Sequence, residues 1–409
     1  MVEPREVVIA AAVRTPFSKF GGVLREVHST DLGAHVIREV LSRAGIRGEQ
    51  VDMVYYGMCI QAEAAIEYNV NARQALLKAG MPPETVSLTL DRACCSSLTC
   101  VQMGFRDIRY GEADVVLAVG AENMSNTPFV LHNVRWATGL AQPLIRDHLF
   151  PIGYSGYNSL AKDAGEVAVE HGIGREEQDH WAWRSQKRYD EAKRAGKFAE
   201  EIVPIEVPQR KGKPLRLEED EFPKPETTLE KLASLPTVYG SPTVTAGNAP
   251  GLDAGAAALV LMSRQKALSL GIPVLGTIVA TASVARQPRY IASAPADAID
   301  RVLGRAGLGL DDLRLLEINE AFAAVPLVSS KILADRHYGG DRKRLEALRE
   351  KLNVNGGAVA VGHPVGASGA RILMTLAYEL RRRGGGYGAC AICGGLAQAD
   401  AAVIRCEGN

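Results

Sequence analysis

Four positions in this chain carry residue types suited to acyl and proton transfer, and each falls where a strand-like run meets a helix-like one or ends. Cys94 opens a helical stretch. First-turn N–H groups and the helix macrodipole favour an anion there, which predicts a lowered thiol pKa and a nucleophilic sulfur. Cys95, Ser96 and Ser97 crowd the same turn, and small residues of this kind equally suit tight helix–sheet packing, so on residue type alone both uses stay open. His363 lies in Asn355 to Arg371, where five of seventeen residues are Gly, and Pro364 follows it. Proline fixes its own φ and biases the preceding residue away from helical geometry, so the imidazole sits on a stiff loop. Asn319 stands at a strand end before a helix, a position that also suits an N-cap. Cys393 precedes Gly394-Gly395 at the end of an apolar strand, and carboxyl ends of strands are where ligands meet α/β sheets. Two thiols, one stiffened imidazole and one amide make a nucleophile, a base and an oxyanion donor.

The elements that must hold these groups alternate. Apolar runs at Arg5–Val13, Val51–Tyr56, Ser87–Leu90 and Asp114–Ala121 read as strands, and Thr30–Ala44, Asn71–Ala79 and a run from near Cys94 to Tyr110 read as helices. Leu98, Val101, Phe105 and Ile108 repeat at three, four and three, which is one helical face. After Glu122 the chain is richer in Pro, aromatics and charge and carries all three Trp, with a long helix at Arg175–Ala195. This reads as an inserted subdomain, a common home of substrate contacts. The alternation then resumes with strands at Ala254–Met262, Gly276–Ala285, Asp312–Ile318, Gly388–Cys393 and Asp400–Arg405. Helices are expected at Ala294–Ala306, after Phe322 to about Asp335, and at Ala370–Arg381. Strands apolar throughout and alternating with helices predict a mostly parallel sheet covered on both faces.

The 409 residues suffice for two or three packed units. Basic and acidic residues both number 47, which argues against a nucleic-acid or anionic-membrane partner. The first residues lack the plan of a signal peptide and no apolar run reaches spanning length, so a reducing, cytoplasmic location is the expectation. The seven Cys then read as free thiols. Cys390 and Cys393 form one C-x-x-C without the second pair or spaced His of a zinc site, so no metal is expected.

Set in order, these motifs resemble the thiolase family (acetyl-CoA acetyltransferases and 3-ketoacyl-CoA thiolases) nearly end to end. Arg92-Ala-Cys-Cys-Ser-Ser-Leu resembles the family's nucleophile motif, with Cys94 as the acylated residue. Val119 to Ser125, Arg175-Glu-Glu-Gln-Asp, Arg184-Ser-Gln and Thr243 to Ala249 are similar to its Glu-Asn-Met-Ser, loop-domain and pantetheine-side segments. Asn319-Glu-Ala-Phe resembles its Asn-Glu-Ala-Phe motif, Asn355 to Arg371 its Gly-His-Pro motif, and Cys393-Gly-Gly-Leu-Ala-Gln its C-terminal thiol motif. Tyr387-Gly388 and Gln398 both place Cys393 at the second thiol, whereas counting from the Gly pair would place Ala391 there and leave Cys390 one residue away.

The resemblance implies an α/β, duplicated thiolase-like fold. Two mixed, mostly parallel sheets would lie among helices in five layers, α-β-α-β-α, with an inserted loop subdomain. Residues 1–121 and 250–275 would form the N-terminal half, 122–249 the CoA-binding insert and 276–409 the C-terminal half. It further implies Cys94, His363, Cys393 and Asn319 as catalytic residues, the backbone N–H groups of Cys94 and Gly395 as an oxyanion hole, and CoA or substrate contacts from Lys224, Ala246, Gly247, Pro250, Phe322 and Leu160. CoA and acyl-CoA would be substrates, with no cofactor, and the chain would form a homodimer or homotetramer. A non-catalytic acyl-CoA or lipid-binding scaffold is the alternative within the same fold. Several positions depart from the family pattern. Asp91 replaces an Asn, Cys95-Ser96-Ser97 lacks a Gly, Pro250 replaces a Ser, and Leu160-Ala161 stands for Met-Gly. An anion at Asp91 would oppose ionisation of Cys94.

Overall fold

The computed structural model describes residues 4–64, 67, 69–132, 134–136, 139–140, 142–149 and 153–408. The first half runs β1 (Val7–Arg14), α1 (Ser29–Ala44), β2 (Met53–Gly57), α2 (Asn71–Lys78), β3 (Val86–Leu90), α3 (Ser96–Tyr110) and β4 (Val115–Asn123). The insert carries β5 (Phe129–His132), β6 (Leu144–Asp147), α4 (Leu160–Glu170), α5 (Arg175–Arg194), β7 (Ile205–Val207), β8 (Leu215–Leu217) and α6 (Leu229–Ala233). The chain returns through β9 (Ala254–Ser263) and α7 (Arg264–Leu270). The second half follows as β10 (Gly276–Ala285), α8 (Ala294–Ala306), β11 (Leu313–Ile318), α9 (Ala324–Tyr338), α10 (Arg342–Glu350), α11 (Ala358–Val361), α12 (Val365–Arg382), β12 (Gly385–Gly394) and β13 (Gln398–Glu407).

Helices stop where the sequence supplies left-handed residues. Gly45 after α1 and Gly111 after α3 have φ of 66° and 89° and donate back to the last-turn carbonyls. Three buried cores define the layers. One packs α1 and α2 against the outer face of β1, β2, β4 and β9, and another packs α8 and α9 against β10, β11 and β13. The third lies between the halves, where Leu98, Val101 and Phe105 of α3 meet Ile372, Leu373 and Leu376 of α12. Helix, sheet, paired helices, sheet and helix make the five expected layers.

Strand pairing differs from the expectation in two ways. The order β11-β12-β13-β10-β1-β9-β4-β2-β3 is continuous, because Val7–Ile9 of β1 pair with Gly276–Ile278 of β10 and join the two halves. Only β2–β3, β2–β4 and β11–β12 are parallel, while β4–β9, β1–β9, β1–β10, β10–β13 and β12–β13 are antiparallel. An antiparallel strand buried on both faces has the same unbroken apolar run as a parallel one, so the sequence pattern does not separate them.

The insert is tied to both halves by buried polar groups. Arg14, fully buried at the end of β1, holds Glu201 at 2.8 Å and Asp220 at 2.7 Å. Glu320 accepts from Trp181 Nε1 and Ser185 Oγ of α5, from Asn353 Nδ2 and from the Val359 N–H, at 2.8 to 3.1 Å. Helices α4 and α10 were not anticipated. Helix α10 (RKRLEALRE) buries only Leu348 and so shows little apolar periodicity. Among the described residues no helix is long and apolar enough to cross a membrane.

Candidate active site

Cys94 sits in the tight turn between β3 and α3. Ala93 before it is left-handed (φ 51°). Ser96 Oγ closes the turn by accepting the Arg92 N–H and donating to the Ala93 carbonyl. Cys95, not Cys94, caps α3, and Cys94 lies one residue outside the helix. The expected fall in thiol pKa does not occur. Burial pushes the Cys94 thiol well above its ordinary value, and Cys393, Glu122 and Asp91 push the same way, against the smaller effect of the backbone N–H. The protein therefore holds Cys94 as a thiol that loses its proton only as it reacts.

The loop that carries His363 is fixed from three sides. The His363 backbone N–H donates to Asp253 Oδ2 at 2.6 Å, and Nδ1 lies 2.6 Å from Ser368 Oγ. The Ser368 hydroxyl donates its single hydrogen to the Pro364 carbonyl at 2.9 Å. Its lone pair must then accept from Nδ1–H, which leaves His363 Nε2 as an acceptor. Nε2 faces Asn319 Nδ2 at 3.5 Å, and Arg371 donates to Asn319 Oδ1 at 3.2 Å, setting the amide the right way round. Burial, with Arg371 adding to it, lowers the His363 pKa to about 3, so the imidazole is neutral at neutral pH. Gly362 is left-handed (φ 106°), and a Cβ there would fall 2.9 Å from Asp253 Oδ2, so glycine lets the carboxylate reach the next N–H.

Cys393 is fully buried near the end of β12, with its pKa pushed up to about 12 by burial. Its charge acts on both Cys94 and Cys95. Cys390 lies three residues back, mid-sheet, opposite Ala402 and Glu317, and it does not figure among the groups acting on Cys94. The structure thus brings Cys393 to the nucleophile and leaves Cys390 in the core. Beyond Cys393, Leu396 and Ala397 are both left-handed (φ 58°).

Cys94 and Gly395 line a cavity of about 410 Å³ together with Cys59, Asp91, Met124, Tyr154, Leu160 and Val365. Leu160 also lines a second cavity of about 330 Å³ with Lys224, Ala246, Pro250 and Phe322. Lys224 and Ala246 also line a third, of about 250 Å³, with Gly247. All six residues for which the resemblance implied CoA or substrate contacts line these cavities, which share Leu160, Lys224 and Ala246. Asp91 faces the first cavity, one carboxylate oxygen accepting the Ala93 N–H at 2.7 Å, and burial raises its pKa.

Sequence reasoning left Ser368, Arg371, Asp253 and Glu122 without roles. The first two lie inside the Gly-rich stretch, but nothing in residue type shows which way they point. Glu122 accepts the N–H groups of Cys59, Ile60 and Gly366, joining the cavity wall to the start of α12, and burial raises its pKa to about 8.

A buried cysteine that lines a cavity, with a second buried thiol and a neutral buried histidine, in a layered α/β fold fits an acyl-transfer enzyme with a cysteine nucleophile. Residues 7–265 match the thiolase N-terminal domain and residues 272–406 the thiolase C-terminal domain. The chain belongs to the thiolase family. It is 40% identical over 408 residues to the acetyl-CoA acetyltransferase of Syntrophomonas wolfei (98% of this chain, 99% of that one). It is 39% identical over 407 residues to a beta-ketoadipyl-CoA thiolase of Acinetobacter baylyi (97% and 98%). Among solved structures, it resembles the Bacillus anthracis acetyl-CoA acetyltransferase with a TM-score of 0.92 at 37% identity (99% and 100% of the chains). It also resembles human mitochondrial 3-ketoacyl-CoA thiolase in complex with CoA, with a TM-score of 0.89 at 38% identity (99% of each chain). The chain is a catalytic thiolase, an acyltransferase, rather than a scaffold built on the same fold.

Proposed function

We propose that this enzyme interconverts a 3-ketoacyl-CoA and CoA with two acyl-CoA molecules through an acyl-Cys94 intermediate. The observation that carries the assignment is the neutral His363, held with Nε2 as acceptor, in a site that keeps both Cys94 and Cys393 as thiols. Cys94 sulfur attacks the thioester carbonyl while its proton passes to His363 Nε2. The tetrahedral oxygen is held by the N–H groups of Cys94 and Gly395. CoA leaves as a thiolate and takes its proton from Cys393, which leaves Cys393 as a thiolate and His363 as an imidazolium. A second acyl-CoA, acetyl-CoA in the simplest case, then loses its α-proton to the Cys393 thiolate, and its enolate oxygen is held by His363 and Asn319. The enolate carbon attacks the acyl-Cys94 carbonyl and expels the Cys94 thiolate, which takes its proton back from His363. In thiolysis the Cys393 thiol returns its proton to the departing enolate, for which a high pKa is no obstacle. Oxyanion donors of this kind contribute on the order of 3 kcal/mol each.

CoA reaches Cys94 along the cavities bordered by Lys224, Ala246, Gly247, Pro250, Phe322 and Leu160, and no cofactor enters these steps. The seven free thiols suit a reducing cytoplasm. Exposed Phe129, Trp136 and Ile145 around the β5–β6 hairpin, with Val86 and Leu88 on the edge strand β3, support a homodimer or homotetramer. The test is acyl labelling and thiolysis of acetoacetyl-CoA. Cys94→Ala should lose both. Cys393→Ala should still form the acyl-enzyme but lose condensation. A labelled Cys94→Ala protein would transfer the nucleophile to Cys95, and retained condensation in Cys393→Ala would transfer the acid–base role to Cys390.

A further inference from the structure

The cavity at Cys94 contains a donor that none of these steps uses. Tyr154, on the segment of the insert that leads into α4, lines the same cavity as Cys94 and Gly395. A Cβ built on Gly395 would fall 1.8 Å from the Tyr154 hydroxyl oxygen and 2.5 Å from the ring carbon that bears it. The phenol therefore rests end-on against the Gly395 Cα, and only glycine leaves room for it. The ring edge makes the approach, with the next ring carbon 2.9 Å from the same point.

Among the described residues no group hydrogen-bonds the Tyr154 hydroxyl, and the side chain is partly exposed where it borders the cavity. The groups whose charges act on it are Cys59, Cys94, Asp91 and Cys95, all around the nucleophile. Desolvation raises its pKa, so the phenol stays protonated and can only donate or accept as O–H. A neutral donor without an acceptor, aimed at the glycine whose N–H flanks the acyl carbonyl, is arranged for an acceptor that arrives with the substrate.

We propose that Tyr154 is a further catalytic residue, whose hydroxyl donates to the carbonyl oxygen of the acyl group on Cys94 beside the N–H groups of Cys94 and Gly395. The assignment rests on the acyl-Cys94 reading. No atom changes hands: the phenol keeps its proton, and its hydrogen bond strengthens as the carbonyl oxygen becomes an oxyanion. Such a bond lowers the barrier more than it tightens substrate binding.

The test compares Tyr154→Phe and Tyr154→Ala in the full-length enzyme, by acetoacetyl-CoA thiolysis and by infrared difference spectra of the ¹³C-labelled acetyl-enzyme. Tyr154→Phe keeps the ring and removes only the hydroxyl. It should lose kcat by about 100-fold, the lower end of the range for an oxyanion donor, with KM changed less than about twofold. Its acyl carbonyl band should move to higher wavenumber. Wild-type kcat in Tyr154→Phe overturns the proposal even if Tyr154→Ala is impaired, since the ring alone would then matter. A faster Tyr154→Phe enzyme overturns it too, because the hydroxyl would then be obstructing the site. A slower variant with an unmoved carbonyl band also overturns it, since the hydroxyl would not touch the oxygen. Acyl labelling of Cys94→Ala, run alongside, would instead overturn the acyl-Cys94 reading on which the proposal stands.

Discussion

Ser368→Ala should slow acylation of Cys94 by one to two orders of magnitude while leaving every acyl-touching group in place. Ser368 is fully buried and lies 2.6 Å from His363 Nδ1. When His363 takes the Cys94 proton it becomes an imidazolium, and Ser368 Oγ accepts the Nδ1–H of that cation. Hydrogen bonds to charged groups contribute about 1.5–3 kcal/mol. With each 1.36 kcal/mol on the barrier worth a factor of ten, losing the acceptor predicts a decrease of about 10- to 150-fold. The neutral enzyme suffers as well, because Nδ1–H then has no partner. The other tautomer gives no escape, since it would point Nε2–H at the Asn319 amide nitrogen that Arg371 holds in place. The measurement is rapid-quench formation of the acyl-enzyme from labelled acetyl-CoA in a single turnover, repeated on a His363→Asn background. There the serine has no imidazolium to serve, and Ser368→Ala should cost little more. Acylation within twofold of wild type, or an equal loss on both backgrounds, would refute the argument that the serine acts through the imidazole.

Four further outcomes are expected. Glu320→Ala should cost on the order of 4 kcal/mol or more in urea unfolding, because it strands four donors, each with a penalty of about 1–3 kcal/mol; a loss under about 1 kcal/mol would show the clamp to be dispensable. Burial lowers the His363 pKa from 6.5 to about 3, so its stabilisation is full above pH 6.5 and is lost as pH falls toward 3. The native state of the wild type should therefore lose stability through that window more steeply than His363→Asn, by several kcal/mol, and parallel stability–pH curves would contradict this. Asp91→Asn removes an anion that adds to the burial raising the Cys94 pKa, and should speed iodoacetamide alkylation at pH 8; an unchanged rate would mean the carboxylate is already neutral. Lys224→Gln should raise KM for CoA with little change in kcat, since Lys224 borders both outer cavities, and an unaltered KM would remove it from the CoA path.

Much of this enzyme is legible without coordinates because burial leaves a periodic trace. The stripe Leu98, Val101, Phe105 and Ile108 marked α3, and Gly45 and Gly111 marked helix ends, since a single residue type answers the demand for a left-handed backbone. Cys94, Asn319, His363 and Cys393 stood out because few residue types carry acyl and proton chemistry and each fell at a junction. Pairing direction was not legible, because β9, β10 and β13 are buried on both faces and look alike whichever way their neighbours run.

What the tertiary structure alone decided is electrostatic and directional. Position beside a helix start predicts a more acidic Cys94, yet desolvation by residues hundreds of positions away outweighs the helix terminus and keeps the thiol protonated. The histidine was plain in the sequence, but its working nitrogen was not. That depends on a hydroxyl five residues on that also meets the Pro364 carbonyl, on an arginine that orients an amide fifty-two residues away, and on a carboxylate directly before β9. A sequence specifies which groups are available; proton position depends on distances and on the exclusion of water, and those exist only once the chain has packed.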